Sequence, residues 1–232
     1  MTDLKDKVAI VTGANGGLGN AVTQALLDAG ANVAGVSFKI EQSEFKNPAF
    51  TAISADLLDG NAAKKVVEQA LSRFGRVDVL AHLVGAFAGG KPIAETDDKT
   101  FQFMFDVNVK AAFNMFRAVI PAMRQARSGR IIAIGSRAAE DPGPTVGAYS
   151  ASKAAVVSLV RTIARENKDA GITANSILPG TIDTAANRAA MPKADTAQWV
   201  QPSSIASLIL WLASEAGKDV TGAAIPVYGA GL

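Results

Sequence analysis

Short apolar runs alternate with segments of helical period along the chain. Val8 to Thr12 is a β-branched run closed by Gly13, and apolar residues then recur at helical spacing from Leu18 to Ala29, before Gly30. Further strands are predicted at Val33 to Val36, Phe50 to Ala55, Val77 to Val84, Arg130 to Ile134, Thr173 to Leu178 and Ala224 to Val227. The pattern is therefore strand, turn and helix, repeated several times.

Helices are predicted between these strands, at Ala63 to Phe74, Lys99 to Gln125, Tyr149 to Ala170 and Pro202 to Ala213. The chain has no internal repeats and no low-complexity linker. This alternation predicts parallel βαβ units, and hence a doubly wound α/β sheet of Rossmann type in three layers, α/β/α. At 232 residues such a sheet fits one domain, 1–232. Ligands should bind outside the carboxyl ends of its strands.

Composition narrows the function classes. The chain is 49% hydrophobic and 19% charged, which excludes a disordered protein. Its net charge is +2 and its basic residues are scattered, unlike those of nucleic-acid binders. Cysteine is absent, which excludes disulfides and thiolate metal sites. The N-terminal residues lack an apolar signal core and no apolar run reaches membrane-spanning length. We expect a cytoplasmic protein with no nucleic-acid, membrane or metal partner.

The turn after the first strand is rich in glycine, reading Thr12-Gly13-Ala14-Asn15-Gly16-Gly17-Leu18-Gly19. It opens the first helix, where a dinucleotide pyrophosphate can meet backbone N–H groups and the helix dipole. Glycines are needed there because a Cβ would hold the phosphates away. The alternative is a plain βα turn.

Tyr149 and Lys153 stand four residues apart on a predicted helix and so share a face. An ammonium ~4 Å from the phenol favours phenolate by roughly 4 kcal/mol at an effective dielectric of ~20, or about three pKa units. The spacing therefore predicts an acid–base tyrosine, with Ser136 at the end of the preceding strand donating a hydrogen bond to a substrate carbonyl. The alternative is an ordinary surface helix.

These motifs, together with Asn108 and the segment Pro179-Gly180-Thr181-Ile182-Asp183-Thr184, resemble in order those of the short-chain dehydrogenase/reductase family. The resemblance covers essentially the whole chain and is nearest to the 3-oxoacyl-carrier-protein reductase branch. It implies hydride transfer between a nicotinamide dinucleotide and a carbonyl or alcohol, in the direction of ketone reduction.

The resemblance also implies a catalytic role for each of four residues. Tyr149 would exchange a proton with the substrate oxygen and Ser136 would orient that oxygen. Lys153 would hold the nicotinamide ribose and lower the pKa of Tyr149, and Asn108 would position a water in a relay to Lys153. The alternative for the whole chain is a catalytically idle dinucleotide-binding sensor or regulatory protein on the same fold.

The resemblance further implies cofactor contacts along the ends of the strands. They are assigned to Gly13, Asn15, Gly17, Leu18, Gly19, Ser37, Lys39, Asp56, Leu57, Gly85, Tyr149, Lys153, Pro179, Gly180, Ile182 and Thr184. NAD selection usually relies on an acidic residue at the end of the second strand, and the segment 35–39 has none. Ser37 and Lys39 there favour NADP, with NAD as the alternative. Asn15 and Gly16 stand where NADP-preferring relatives often carry a basic residue, so the expected preference is modest.

Two segments depart from the family pattern. His82-Leu83-Val84-Gly85 replaces the usual Asn-Asn-Ala-Gly, and Val227-Tyr228-Gly229-Ala230 replaces Val-Asp-Gly-Gly. With no second histidine and no cysteine, His82 is interpreted as a structural residue with its hydrogen bonds satisfied.

A substrate lid is expected around residues 184–201, where Met191, Pro192 and Trp199 lie. Phe87, Pro142 and Val146 would line the same apolar pocket, and Arg137 and Glu140 would either read a polar group of the substrate or face solvent. Excess apolar residues on two helices predict a homo-oligomer, a tetramer or a dimer: Phe113, Met115, Val157 and Leu159.

Overall fold

The computed structural model describes residues 3–230, which form one seven-stranded sheet with helices on both faces. The strand order is β3-β2-β1-β4-β5-β6-β7, and every neighbouring pair is parallel. The strands are β1 Val8–Thr12, β2 Asn32–Ser37, β3 Phe50–Ser54, β4 Val79–His82, β5 Gly129–Ile134, β6 Ile172–Pro179 and β7 Ala224–Val227. The doubly wound α/β fold predicted from the sequence is confirmed.

Seven α-helices connect and cover these strands. They are α1 Gly17–Asp28, α2 Gly60–Phe74, α3 Asp98–Phe105, α4 Ala111–Ala126, α5 Gly147–Glu166, α6 Ala185–Ala190 and α7 Pro202–Ala213. Helices α2, α4 and α5 pack against one face of the sheet, and α1 and α7 pack against the other. Within β1, Ile10 joins the first of these cores while Ala9 and Val11 join the second. A strand covered on both faces has no polar side, which explains its continuous apolar run.

The winding direction of the chain reverses between β1 and β4. From β1 the chain proceeds to β2 and β3 on one side, and it then returns to place β4 on the other side of β1. The carboxyl ends of β1 and β4 therefore flank the crevice in which doubly wound folds bind ligands. The glycine turn follows β1, and residues 83–85 follow β4.

Several predicted boundaries differ from those observed, and two of the differences have a clear local cause. Strand β4 ends at His82 because the N–H groups of Leu83 and Val84 donate to the hydroxyl of Thr12, at 3.0 and 3.3 Å, where the chain leaves the sheet. Helix α5 ends at Glu166, four residues before the predicted Ala170. The Asn167 side chain donates to the Ile163 carbonyl at 2.7 Å, and a 3-10 turn follows.

The single long helix predicted over Lys99 to Gln125 is interrupted by a π-helical turn. Helix α3 ends at Phe105, the π turn covers Asp106–Lys110, and α4 begins at Ala111. The backbone stays helical throughout, so the side-chain period is nearly the same on both sides. Asn108 lies in this turn, which is a form of helix that occurs frequently at functional sites.

Neither a membrane span nor a metal cluster is found between residues 3 and 230. No helix there combines the length and apolarity that crossing a bilayer requires. No group of three or more potential metal-ligating side chains comes together in the same part of the chain.

Candidate active site

The four predicted catalytic residues converge beside the carboxyl ends of β4 and β5. Ser136 lies just after β5 in extended backbone, and Tyr149 and Lys153 lie one turn apart on α5. The Lys153 ammonium donates to the Ile134 carbonyl at 3.0 Å. A Cβ placed on Gly85 would lie 2.8 Å from both Asn108 Oδ1 and Lys153 Nζ. The structure therefore brings the turn after β4, the π turn and α5 to one point.

The pKa of Tyr149 is shifted in the direction opposite to that predicted. Burial raises the pKa of the phenol, and a hydrogen bond with Ser136 partly offsets this increase. The Phe87 ring packs edge-on against Tyr149 with 5.0 Å between ring centroids, which helps to exclude water. The expectation that Lys153 alone would lower this pKa is wrong for the structure, since burial outweighs the favourable contact with Ser136.

Lys153 is a buried cation. Its side chain lies in the interior with only 5% of the residue exposed, and burial lowers its pKa to about 8. The apolar interior disfavours the charged ammonium, so Lys153 holds its proton less tightly than a surface lysine does. Around neutral pH Lys153 remains charged but can release its proton at little cost.

Asn108 is a bridge between the turn after β4 and α5. Its Oδ1 accepts from the backbone N–H of Ala86 at 2.9 Å, and its Nδ2 donates to the Ala86 carbonyl at 3.1 Å. The same Nδ2 donates to the hydroxyl of Ser152 at 2.9 Å. Ser152 in turn donates to the Tyr149 carbonyl at 2.7 Å. Asn108 thus fixes the positions of both the Gly85 turn and the helix that carries Tyr149.

Ser152 is a site residue that the sequence reasoning missed. It is fully buried and directly precedes Lys153 on α5. The only available signal was its place within the Tyr149-to-Lys153 turn, on the side of the helix that faces the interior.

His82 lies in the interior between β1, β4 and α4. Thr12 Oγ1 accepts from two backbone N–H groups and lies 3.0 Å from His82 Nδ1. The two N–H groups use both acceptor positions of the hydroxyl, so its contact with His82 is made through its single proton. Thr12 therefore donates to Nδ1, and the proton of the neutral ring lies on Nε2. Burial, with a smaller contribution from the charge of Lys153, lowers the pKa of His82 to about 3.

The prediction that His82 is structural and fully satisfied is therefore only half correct. Its Nδ1 is bonded, whereas its Nε2 is buried without a hydrogen-bond partner among the described residues. Phe116 packs edge-on against the ring, with centroids 5.7 Å apart. An apolar neighbour explains why Nε2 has no acceptor there.

The glycine turn has the geometry of a phosphate cradle. Gly13 has φ +69°, and a Cβ on Gly19 would overlap the Gly13 carbonyl oxygen, so neither position tolerates a side chain. Helix α1 begins with no side-chain cap, which leaves its first N–H groups, including that of Leu18, available to an anion. A Cβ on Gly17 would lie 2.8 Å from Cβ and Cγ2 of Thr184. Thr184 therefore lies directly against this turn.

The end of β2 contains one buried hydroxyl without a partner and one acid that the sequence reasoning missed. Ser37 Oγ is buried and has no hydrogen-bond partner among residues 3–230. Asn15 Nδ2 donates to the Lys39 carbonyl at 2.8 Å and to Glu44 Oε1 at 3.2 Å. Asn15 thus ties the glycine turn to the segment after β2, and Glu44 adds a carboxylate beside it. Glu44 lies in a 3-10 turn whose position no periodicity indicated.

The remaining predicted cofactor residues differ in how they are placed. Asp56 is exposed, and its carboxylate accepts from the Leu58 N–H at 2.9 Å. The Leu57 side chain is buried in the core, which leaves its backbone as the part that could contact a dinucleotide. Pro179 ends β6, and a Cβ on Gly180 would lie 3.1 Å from the Tyr228 carbonyl oxygen. Ile182 pairs with Val200 across the base of the segment 184–201.

Arg137 and Glu140 beside Ser136 are both engaged in ion pairs. Arg137 pairs with Asp141 at 3.0 Å and lies over the Tyr228 ring, 5.1 Å from its centroid. Glu140 pairs with Arg161 at 3.1 Å. The departure at Tyr228 therefore creates a contact for the residue that follows Ser136.

Comparisons with known proteins agree with this geometry. A family model described as short chain dehydrogenase matches residues 7–195. A short chain dehydrogenase of Penicillium rubens, adrF, is 31% identical, over 98% of this chain and 97% of its own. A 3-oxoacyl-[acyl-carrier-protein] reductase of Staphylococcus epidermidis is also 31% identical, over 97% of this chain and 98% of its own.

Solved structures show the same similarity. A 3-ketoacyl-(acyl-carrier-protein) reductase of Brucella melitensis, complexed with NADH, superimposes with a TM-score of 0.88 at 26% identity. That match covers 99% of this chain and 100% of the other. The chain is thus similar to these relatives in sequence and fold over nearly its full length. This similarity accompanies the sheet order, the glycine turn and the convergence of Ser136, Tyr149 and Lys153. The chain belongs to the short-chain dehydrogenase/reductase family and is an NAD(P)-dependent oxidoreductase acting on a CH–OH or C=O group.

Proposed function

We propose that this oxidoreductase reduces a ketone, with Tyr149 as the general acid and NADP preferred over NAD. The observation that carries the proposal is the convergence of Ser136, Tyr149, Lys153 and Asn108 on one point at the sheet edge. The reductase relatives support a 3-oxoacyl thioester as the substrate class.

The residues fit a nicotinamide dinucleotide. The turn from Gly13 to Gly19 presents the uncapped first N–H groups of α1 as donors for the pyrophosphate. Its glycines are required because a side chain at Gly17 or Gly19 would collide with its neighbours. The unpartnered Ser37 hydroxyl at the end of β2 suits the adenosine ribose or its 2′-phosphate. When bound, the dinucleotide supplies the hydride for carbonyl reduction and accepts it in the reverse direction.

The protein's own contribution is the proton. The raised pKa of Tyr149 keeps the phenol protonated through neutral pH, so its Oη can give a proton to the carbonyl oxygen as the carbon is reduced. Ser136, which is hydrogen-bonded with Tyr149, is placed to donate to the same oxygen and orient it. In the oxidative direction the same Oη takes the proton back.

Lys153 replenishes the proton of Tyr149, and Asn108 holds the groups of this relay in position. Lys153 has its pKa lowered to about 8 and is therefore a ready proton donor behind Tyr149. Asn108 holds the Gly85 turn against Lys153 through its bonds to Ala86, which keeps the relay in place. Asn108 and Ser152 thus act on the position of the relay, whereas Lys153 acts on the proton.

The substrate body is apolar in this proposal. Phe87 is 64% exposed yet packs on Tyr149, so it forms a wall beside the reacting carbonyl. Residues 184–201 form the lid, with exposed Met191 near its middle. Gly90 donates to the Thr145 carbonyl at 2.8 Å, which brings the Phe87 loop against the segment that contains Val146.

We further propose a cytoplasmic homo-oligomer, a tetramer or a dimer. Phe101, Phe103 and Phe113 are each about half exposed on α3 and α4, and large exposed apolar side chains on consecutive helices favour an interaction surface. Met115 and Val157 were assigned to this second face from the sequence, but both are buried in the core of the subunit. The interface is therefore proposed around the three phenylalanines.

The alternative is a dinucleotide-binding sensor that does no chemistry. A sensor has no need to keep Asn108, Ser136, Tyr149 and Lys153 together, and burying the ammonium of Lys153 costs free energy. The buried Lys153 favours the enzyme.

The experiment is Tyr149→Phe, with Tyr228→Phe as the matched control at the chain's other tyrosine. Loss of the proton donor should lower kcat for ketone reduction by at least about 100-fold while dinucleotide binding changes little. Tyr228→Phe should retain most of its turnover. Near-normal kcat in Tyr149→Phe on any good substrate would reject the assignment, and failure of a broad ketone and alcohol screen with both dinucleotides would favour the sensor.

A further inference from the structure

The segment 184–201 is closed at its base by backbone hydrogen bonds. Val200 N–H donates to the Thr181 carbonyl and Asp183 N–H donates to the Val200 carbonyl, both at 2.8 Å. The two ends of the segment therefore lie side by side, as in a compact surface loop. Between them the chain carries the short helix α6.

One carboxylate joins three parts of this segment. Asp183 Oδ1 accepts from Arg188 Nε at 2.6 Å, and Oδ2 accepts from the Arg188 guanidinium at 2.8 Å and from Gln201 Nε2 at 3.0 Å. Asp183 lies at the entry, Arg188 on α6 and Gln201 at the exit. We call this set the Asp183 clasp.

The clasp has the features of a specific contact. Its arginine–carboxylate pair is bidentate, which is the geometry that fixes orientation as well as distance. The Asp183 side chain is only 10% exposed, although that of Arg188 is 56% exposed. The Arg188 hydrogen bonds hold the pKa of the Asp183 carboxyl below its ordinary value, so the pair remains ionised at neutral pH.

The residue next to the clasp lies on the glycine turn. A Cβ on Gly17 would lie 2.8 Å from two side-chain carbons of Thr184, and Thr184 Oγ1 also accepts from the Asn187 N–H at 3.2 Å. Asn187 Nδ2 donates to the Ile182 carbonyl at 2.8 Å. Thr184 is thus held between the clasp, the start of α6 and the turn proposed to bind the pyrophosphate.

We propose that Asp183, Arg188 and Gln201 are positioning residues that hold Thr184, the residue that caps α6, against the glycine turn and thereby set how long the dinucleotide stays bound. This inference rests on the proposed function. Opening the clasp would let the segment move away from Gly17, which uncovers the pyrophosphate site without altering Ser136, Tyr149 or Lys153.

The test uses Arg188→Met, Asp183→Asn and the double variant. Stopped-flow fluorescence of NADPH and NADH should show dissociation about fivefold faster in each single variant, as expected for a partly exposed ion pair. The double variant should release the dinucleotide no faster than the single variants, because both changes break the same contact. Hydrogen exchange of the segment 184–200 should also speed up without any dinucleotide present.

Two further variants make the result specific. Lys193→Met removes an exposed cation from the same segment and should leave release and exchange unchanged. Arg188→Lys keeps the positive charge but cannot make the two-pronged contact with the carboxylate. Its dissociation rate should therefore lie between those of the unmodified protein and Arg188→Met.

Unchanged dissociation in Arg188→Met and Asp183→Asn would overturn the inference, even if exchange rises, since the clasp would then be only structural. Failure of the unmodified protein to bind NADPH or NADH would instead reject the proposed function and the inference with it.

Discussion

His82 occupies an environment that excludes its charged form. Thr12 donates to its Nδ1, Phe116 packs on its ring, and burial takes its pKa to about 3. Between pH 6.5 and about 3 the unfolded chain therefore binds a proton that the folded protein does not. Stability from this residue is present above pH 6.5 and is lost as the pH falls through that window.

His82→Asn should remove this acid sensitivity. Asparagine keeps a polar side chain next to Thr12 and does not titrate. The unfolding free energy of the unmodified protein should fall relative to the variant by about 1.4 kcal/mol per pH unit below pH 6.5. Urea titrations at pH 7, 6 and 5 measure it, and because the chain has a single histidine no second imidazole contributes. Parallel pH curves for the two proteins would show that His82 is not neutral in the folded state.

Residue types and spacing were enough to identify the candidate catalytic residues, but not to give the electrostatics of their site. Tyr149 and Lys153 share a helix face, which period alone predicts. The pKa of Tyr149 depends on Phe87, which covers the ring from a loop, and on Ser136, which follows another strand. Contacts between distant parts of the chain decide that shift, so a single helix pattern predicted its sign wrongly.

At the scale of elements, apolar periodicity predicted the strands and most helices, because each lies against a covered sheet. The π turn at Asp106–Lys110 escaped this reasoning. One extra residue in a helical turn hardly changes a pattern read over a few residues, yet it places Asn108 where it can reach both Ala86 and Ser152. The Asp183 clasp escaped for a similar reason, since its partners are separated by loops.

The end of β2 is the element that should decide between the two dinucleotides. Ser37→Asp should shift preference toward NADH, because a carboxylate accepts from ribose hydroxyls and repels a 2′-phosphate. Lys39→Ala should weaken NADPH binding alone, by about fivefold or less, since one exposed charge contributes about 1 kcal/mol.

Steady-state kcat/KM with both dinucleotides measures these shifts, with Lys46→Ala as a control for charge nearby in the chain. Glu44 beside Asn15 opposes a 2′-phosphate, so the NADP preference of the unmodified protein should be small. A kcat/KM that favours NADH in the unmodified protein would contradict the NADP assignment.

At the scale of the molecule, the exposed phenylalanines of α3 and α4 predict self-association. Phe113→Glu should lower the mass measured by light scattering from a multiple of 23.9 kDa toward that of one chain, because a carboxylate cannot be buried there unpaired. Trp211→Glu, at an exposed apolar residue of α7 on the opposite face of the sheet, is the control and should leave the mass unchanged. A monomeric unmodified protein at working concentration would refute the interface.

The reversal of strand order between β1 and β4 separates two groups of site residues along the sequence as well as across the sheet. Ser37 ends β2 and Lys39 follows it, before the reversal, whereas Ser136, Tyr149 and Lys153 come after the reversal. Two substitutions, one in each stretch and with no contact between them, should change the free energy additively, within about 0.5 kcal/mol. The residues proposed to choose between NADP and NAD and the residues proposed to transfer the proton therefore lie on separate stretches of the chain. A change of dinucleotide preference could then arise without any change in the residues proposed to transfer the proton.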